Sequence, residues 1–385
     1  MRGRSGDTAH NPHDSAPATL LLLRNQPSER TSSKRENCEM LFDWSLPLWG
    51  NCGLFVGAAV LIALAGAKAS SFADRLADRT GLGEALTGTI FLGFLTALPG
   101  LVASVVAAWE GHASLAIHNA MGGVAVQTTA LAVADLAYRK ANLEHAAASA
   151  ENMMQSISLI MLLTLAMGGL TSPNVTVAHI HPMTGILFLA AGGAFYLALR
   201  TRLKPMWSPR KTKETVEDKP NPDHTRENLF KLVTALVVAA SVTAVAGAVV
   251  GAAASNIVQQ TAIPQAVVGG LFMAIATSLP ELVTSVAAVR QGALTMAVSN
   301  IVGGNFFDVL FVAAADLAYL QGSIYHAKGI DRDEFFLATL TILLNVVLLM
   351  GLIYRQKGGP ANIGFESVAM LVLYIAGFLV ISLMM

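Results

Sequence analysis

Apolar residues run in long unbroken stretches along this chain instead of alternating with polar ones. Ten stretches stand out, at 48–67, 84–108, 114–138, 154–170, 185–199, 229–250, 266–289, 294–320, 335–354 and 368–384. Most approach the ~20 residues that a helix needs to cross a bilayer core of ~30 Å. A membrane barrel would show shorter, alternating segments. Backbone in lipid must satisfy its own hydrogen bonds, which leaves helices. The pattern therefore predicts an all-α membrane protein of about ten transmembrane helices. Composition sharpens this: 54% of the 385 residues are hydrophobic and 13% charged, where a soluble domain carries about a quarter charged residues. The net charge of zero gives no reason to expect a nucleic-acid partner. The oligomeric state is left open.

Polar segments divide the chain. Residues 1–45 read as a disordered tail whose one apolar run, at 18–23, is too short to span. Met40, just before "LFDWSLPLW", would make a natural first residue. Residues 201–228, charged and proline-rich, read as a cytoplasmic linker between a first half, 46–200, and a second half, 229–385, of five spans each. Lys and Arg cluster after the odd-numbered spans, which places those ends in the cytoplasm and both termini outside, in a membrane of bacterial inner-membrane type. Lys328 and Arg332 after the eighth span cut against this, although Asp331, Asp333 and Glu334 accompany them. Cys38 and Cys52 have neither disulfide nor metal-ligand spacing, and no cofactor is expected.

The halves repeat one another. Residues 88–138 align with 269–319 without a gap, pairing Thr96 with Thr277, Pro99 with Pro280, Ser104 with Ser285, Asn119 with Asn300, and Gly122-Gly123 with Gly303-Gly304. "ADLAY" occurs at Ala134 and again at Ala315. Shared apolar bias does not reproduce Thr, Pro, Asn and Asp in register. Five spans per half make the copies cross in opposite directions, as inverted repeats do in many secondary transporters. Those hold their cargo near the midplane on broken helices. Pro99 and Pro280 each remove a helical donor mid-span.

The stretch "ATSLPELVTS", Ala276 to Ser285, followed by "AVSNIVGGNFFDVLF", resembles the second alpha-repeat of the cation/calcium antiporter superfamily, which has the sodium/calcium exchanger fold. "LTALPGLVAS", Leu95 to Ser104, resembles a degenerate first copy. The resemblance implies exchange of Ca2+ or a similar cation for Na+ or H+ by alternating access, with lipid and inorganic cations as partners. It also implies that Thr277, Ser278, Glu281 and Asp308 bind or flank the transported ions.

Spacing supports one site. Thr277, Ser278 and Glu281 fall on one helical face, and Asn300, Gly304 and Asp308 on one face of the next span. Thr96, Gln127 and Asn305 complete the candidate ligand set, all oxygen donors of the kind that suits hard cations. The first repeat departs from the pattern: Gly100 stands where Glu281 aligns, Ala97 for Ser278, Val124 for Asn305 and Gln127 for Asp308. Both carboxylates then come from the second half, and Gly100 should leave space for water. Weaker divalent binding is expected, or coupling shifted towards H+ or a monovalent ion. The alternative is a transport-impaired pseudo-exchanger with a regulatory or scaffold role. No motif of an intramembrane enzyme occurs. Asp135 and Asp316, at span ends, are expected to cap or face water. His112 and His118 are expected at the interface, His179 and His181 in a surface loop, and the glycine pairs at close helix contacts.

Overall fold

The computed structural model describes residues 46–80, 93–137, 142–203, 206–210, 227–357 and 364–384. The expectations for the N-terminal tail, for Met40, for the start of the second span and for most of the linker lie outside these residues.

The apolar stretches form helices. They are α1 (Leu48–Thr80), α2 (Gly93–Trp109), α3 (Ala113–Ala137), the short α4 (Leu143–Ala147), α5 (Ala150–Thr171) and α6 (Pro182–Leu203) in the first half. The second half has α7 (Leu229–Gln260), α8 (Gln265–Thr277), α9 (Leu279–Gln291), α10 (Leu294–Ala318), α11 (Arg332–Tyr354) and α12 (Phe365–Met384). Among the described residues there is no strand, only an isolated bridge between Val177 and Ile180. Among the described residues seven helices are long and apolar enough to cross a membrane, or eight with the bent pair α8–α9 counted as one span. The two further expected segments coincide with α2, which is short and apolar, and with the largely buried α3.

Local chemistry sets the helix ends. Ser149 and Asn228 accept from the N–H groups of Asn152 and Lys231, which satisfies donors left free in the first turn. Asp331 and Glu334 form a reciprocal capping box on α11. Gly292 takes the left-handed conformation (φ 81°) that closes α9. The first helix runs further than hydropathy alone indicates. Lys68, Arg75 and Arg79 lie within α1, not in a loop after it, and Arg75 forms an ion pair with Glu227.

The long helices α1 and α7 pack along one another, and each crosses to the opposite half. A Cβ on Gly66 of α1 would overlap the Pro280 ring, and a Cβ on Gly247 of α7 would overlap the Pro99 backbone. Gly66 and Gly247 are equivalent in the register that pairs Pro99 with Pro280. These reciprocal contacts are the mark of a two-fold relation, and they extend the repeat beyond the span of obvious similarity. Glycine is required at both positions because any side chain would push a proline-bearing helix away from the centre. That centre, where α2, α3, α8, α9 and α10 meet, holds the polar residues singled out by sequence.

Candidate cation site

The two halves reach the centre differently. In the first, α2 continues as a helix through Pro99. In the second, the equivalent span breaks at Ser278 and bends by 49° between α8 and α9. Pro280 lacks an N–H, and Ser278 takes bridge-region dihedrals (φ −90°, ψ 2°), a conformation common at functional sites. A π-helical turn at Val268–Met273 precedes the break. Gly122 lets α3 approach this turn, since a Cβ there would overlap the Gly270 carbonyl.

All seven residues of the expected ligand set are buried: Thr96, Gln127, Thr277, Ser278, Glu281, Asn305 and Asp308. Gln127 spans the halves. Its Nε2 donates to Asp308 Oδ2 at 2.7 Å and to Ser278 Oγ at 3.1 Å. Two glycines make room for this group. A Cβ on Gly123 would lie 2.8 Å from Asp308 Oδ2, and one on Gly304 would lie 2.9 Å from Gln127 Oε1 and 3.3 Å from Glu281 Cγ. Glu281 lies close enough for its charge to act on Asp308, and Thr96 approaches Glu281. Thr277 and Asn305 are turned partly away. Thr277 Oγ1 lies 2.9 Å from Met273 O and 3.3 Å from Asn119 Oδ1. Asn305 Nδ2 donates to Thr128 Oγ1 at 2.8 Å.

Several buried oxygens here have no donor. Both carboxylate oxygens of Glu281, Gln127 Oε1 and Asn305 Oδ1 lack a hydrogen-bond partner. An unpaired buried polar atom costs roughly 1–3 kcal/mol, and more when charged. The Glu281 and Gln127 oxygens among them meet beside Gly304, all are acceptors, and they fit a positive occupant. With no nitrogen or sulfur donor in the set, they fit a hard cation.

Matching clasps support the site from both halves. Ser104 Oγ donates to Ala116 O and Ser285 Oγ to Ala297 O, each at 3.4 Å. Asn119 Nδ2 donates to Ser104 Oγ at 2.8 Å, and Asn300 Nδ2 to Ser285 Oγ at 3.0 Å. Each clasp ties a proline-bearing span to the next one. The repeat in the sequence contained these residues, but their role in holding the site needed the fold.

Several expectations are corrected. Gly100 leaves no room for water: a Cβ there would lie 2.6 Å from Cε2 of the buried Phe311, so an aromatic ring occupies the space. Phe311 aligns with Ala130, and only the packing of α10 on α2 shows that it faces Gly100. Asp135 and Asp316 do cap, but they are buried and do not face water. They accept from the N–H groups of Leu143 and Ile324 and from the hydroxyls of Ser367 and Thr184. His118 is fully buried instead of interfacial, because α3 passes through the centre of the fold. His181 is buried as well, against Tyr325 and His326, whereas His179 is exposed. His112 is half-buried at the end of the α2–α3 connection, 3.0 Å from Gln259.

Comparison with known proteins agrees with this architecture. The family model described as sodium/calcium exchanger protein matches residues 51–199 and 231–384. The putative antiporter CaxA of Alkalimonas amylolytica is 27% identical over 284 residues, which is 71% of this chain and 82% of CaxA. The inner membrane protein YrbG of Escherichia coli (strain K12) is 26% identical over 313 residues, 80% of this chain and 90% of YrbG. The crystal structure of the H+/Ca2+ exchanger CAX superposes with a TM-score of 0.64 and 13% identity, covering 91% of this chain and 88% of that one. At that identity the likeness concerns the fold.

Proposed function

The chain belongs to the sodium/calcium exchanger protein family, a family of membrane cation exchangers and not enzymes, and on that premise we propose that it exchanges Ca2+ or a similar cation for Na+ or H+. The cargo binds between the halves, with Glu281 and Asp308 as the charged ligands. Ser278, Thr96, Gln127, Asn305 and Thr277 line the same region. One observation carries this reading: the group of buried acceptor oxygens on Glu281, Gln127 and Asn305 that lack donors. Two carboxylates balance one divalent ion. They balance several Na+ ions less well than three would, and a carboxylate released from the cation can carry a proton. The family's own label favours Na+ as the counter-ion, whereas the CAX likeness is to a proton-coupled exchanger.

The reading extends to topology. The ten helical segments cross the membrane as two inverted sets of five, 46–200 and 229–385, joined by a cytoplasmic linker at 201–228. Both termini lie outside, in an inner membrane.

A second reading, a pseudo-exchanger with a regulatory or scaffold role, draws support from Phe311 beside Gly100 and from Gln127 occupying one Asp308 oxygen. Flux separates the two. Purified protein in vesicles should take up Ca2+ against an outward Na+ or H+ gradient, and the gradient that drives uptake names the counter-ion. Uptake no faster than in empty vesicles under either gradient would favour the second reading.

A further inference from the structure

Away from the midplane, His118 of α3 meets Asp333 and Glu334 at the start of α11, and one donor atom from each lies within 4.8 Å of the others. The imidazole is oriented by its own helix. His118 Nδ1 lies 2.9 Å from the Ser114 carbonyl, which can only accept, so Nδ1 carries the proton. In the neutral imidazole, that leaves Nε2 with a lone pair. Nε2 is fully buried, has no hydrogen-bond partner, and faces Asp333 Oδ2 at 3.6 Å. Two acceptors thus face each other across a gap. Donors ~2.0–2.2 Å from one tetrahedral ion stand roughly 3.3–3.6 Å apart, which matches that gap.

Glu334 is held in place independently. Ser114 Oγ donates to its Oε1, and its Oε2 accepts the Asp331 N–H at 2.7 Å. His118 Nδ1 is 3.5 Å from Glu334 Oε1. The Asp333 side chain is 22% exposed while His118 and Glu334 are fully buried, so Asp333 gives solvent a way in. The Nδ1–H bond to a backbone carbonyl, which sets the imidazole tautomer, is a common supporting contact of metal-bound histidine.

We propose that His118, Asp333 and Glu334 form a second metal site, separate from the transport site, for a first-row divalent ion such as Zn2+. One imidazole nitrogen and two carboxylates leave a fourth position for water. The nitrogen ligand distinguishes this site from the all-oxygen centre, which suits harder ions. The ion would sit where α3 packs on the π-helical turn: Cβ atoms built on Gly269 and Gly270 lie 3.0 Å from His118 Cβ and 3.6 Å from His118 Cδ2. That turn belongs to the broken span that carries Glu281, so a bound ion would brace it.

The test is calorimetric titration of Zn2+ into the purified full-length protein in detergent with Ca2+ at saturation. One saturable Zn2+ site is expected in the wild type and in Glu281→Gln. Asp333→Asn, a partly exposed position, and His118→Gln should each weaken it at least about tenfold. Glu334→Gln should weaken it as well while keeping the capping box, since glutamine serves that role. Unchanged binding in both Asp333→Asn and His118→Gln would overturn the proposal. So would loss of binding in Glu281→Gln, which would place the zinc in the transport site, or the absence of any saturable binding in the wild type.

Discussion

The first and second repeats share a scaffold and differ in its contents. Both use a proline-bearing span clasped by a Ser–Asn pair to the next helix, at nearly identical distances. Both receive the long helix of the other half against that proline. Yet the second repeat breaks its span and places Glu281 and Asp308 at the centre, while the first keeps α2 continuous and offers Gly100 and Gln127. The apolar ring of Phe311 stands over Gly100. A duplicated frame can therefore keep its clasps and crossings while all the charge moves to one side. The frame is held by small residues and hydroxyls, and the two copies differ in the few residues at its centre.

The largest expected effect tests that asymmetry. Glu281→Gln and Asp308→Asn should each reduce exchange in vesicles by roughly 100-fold or more, equivalent to about 2.7 kcal/mol. Gln127→Asn in the first repeat should cost distinctly less. Equal losses in all three would show that the charge is not what matters.

The next effect concerns Phe311. Gly100→Glu alone should be destabilising, because overpacking costs about 1–3 kcal/mol. Combined with Phe311→Ala, the new carboxylate should fit and tighten Ca2+ binding about tenfold, following the rise of affinity with anionic ligands. A double variant that melts no higher than Gly100→Glu, or binds Ca2+ no better than the wild type, would remove Phe311 from the account.

A smaller effect tests the shared frame. Ser104→Ala and Ser285→Ala each delete one clasp hydroxyl, worth about 1 kcal/mol. Their falls in Tm should match. A large difference would mean that the clasps are equivalent in geometry only.

The smallest effect compares the connections after α3 and α10. After α10, Asp316 accepts from the Thr184 hydroxyl and the Ile324 N–H; after α3, Asp135 is near Glu144 of α4 and Glu366. Burial pushes the Glu144 carboxyl well above the ordinary carboxylate range, and Asp135 and Glu366 push it the same way. Unfolded, a glutamate ionises near ~4.3. A raised value in the folded state makes this contribution to stability complete below that pH and lost as pH rises towards the folded value. The Tm should fall as pH climbs from about 5, and less steeply in Glu144→Gln. Equal slopes would contradict it.

Much of this was legible in the sequence for physical reasons. Unbroken apolar runs have few structural outcomes in lipid, so the helices follow from hydropathy, although α1 and α7 continue well past their apolar runs. The repeat was legible because Thr, Pro, Asn and Asp recur in register, and Glu281 because an acid in an apolar run needs a purpose. Contacts between halves were not legible. Nothing in the chain order says that Phe311 faces Gly100, that Gly66 meets Pro280, or that Gln127 reaches Asp308. Position along a span does not give burial, and His118 is buried because α3 is enclosed by other helices. The capping by Asp135 and Asp316 is visible from their place at span ends; their burial is not, because it comes from segments distant in the chain, around Ser367 and Thr184.

The most direct test of the central claim is a Ca2+ binding isotherm for purified Glu281→Gln beside the wild type. The account predicts saturable Ca2+ binding in the wild type and its loss in the variant, with the melting temperature in the absence of Ca2+ retained. Ca2+ binding of wild-type strength in a folded Glu281→Gln protein would contradict it.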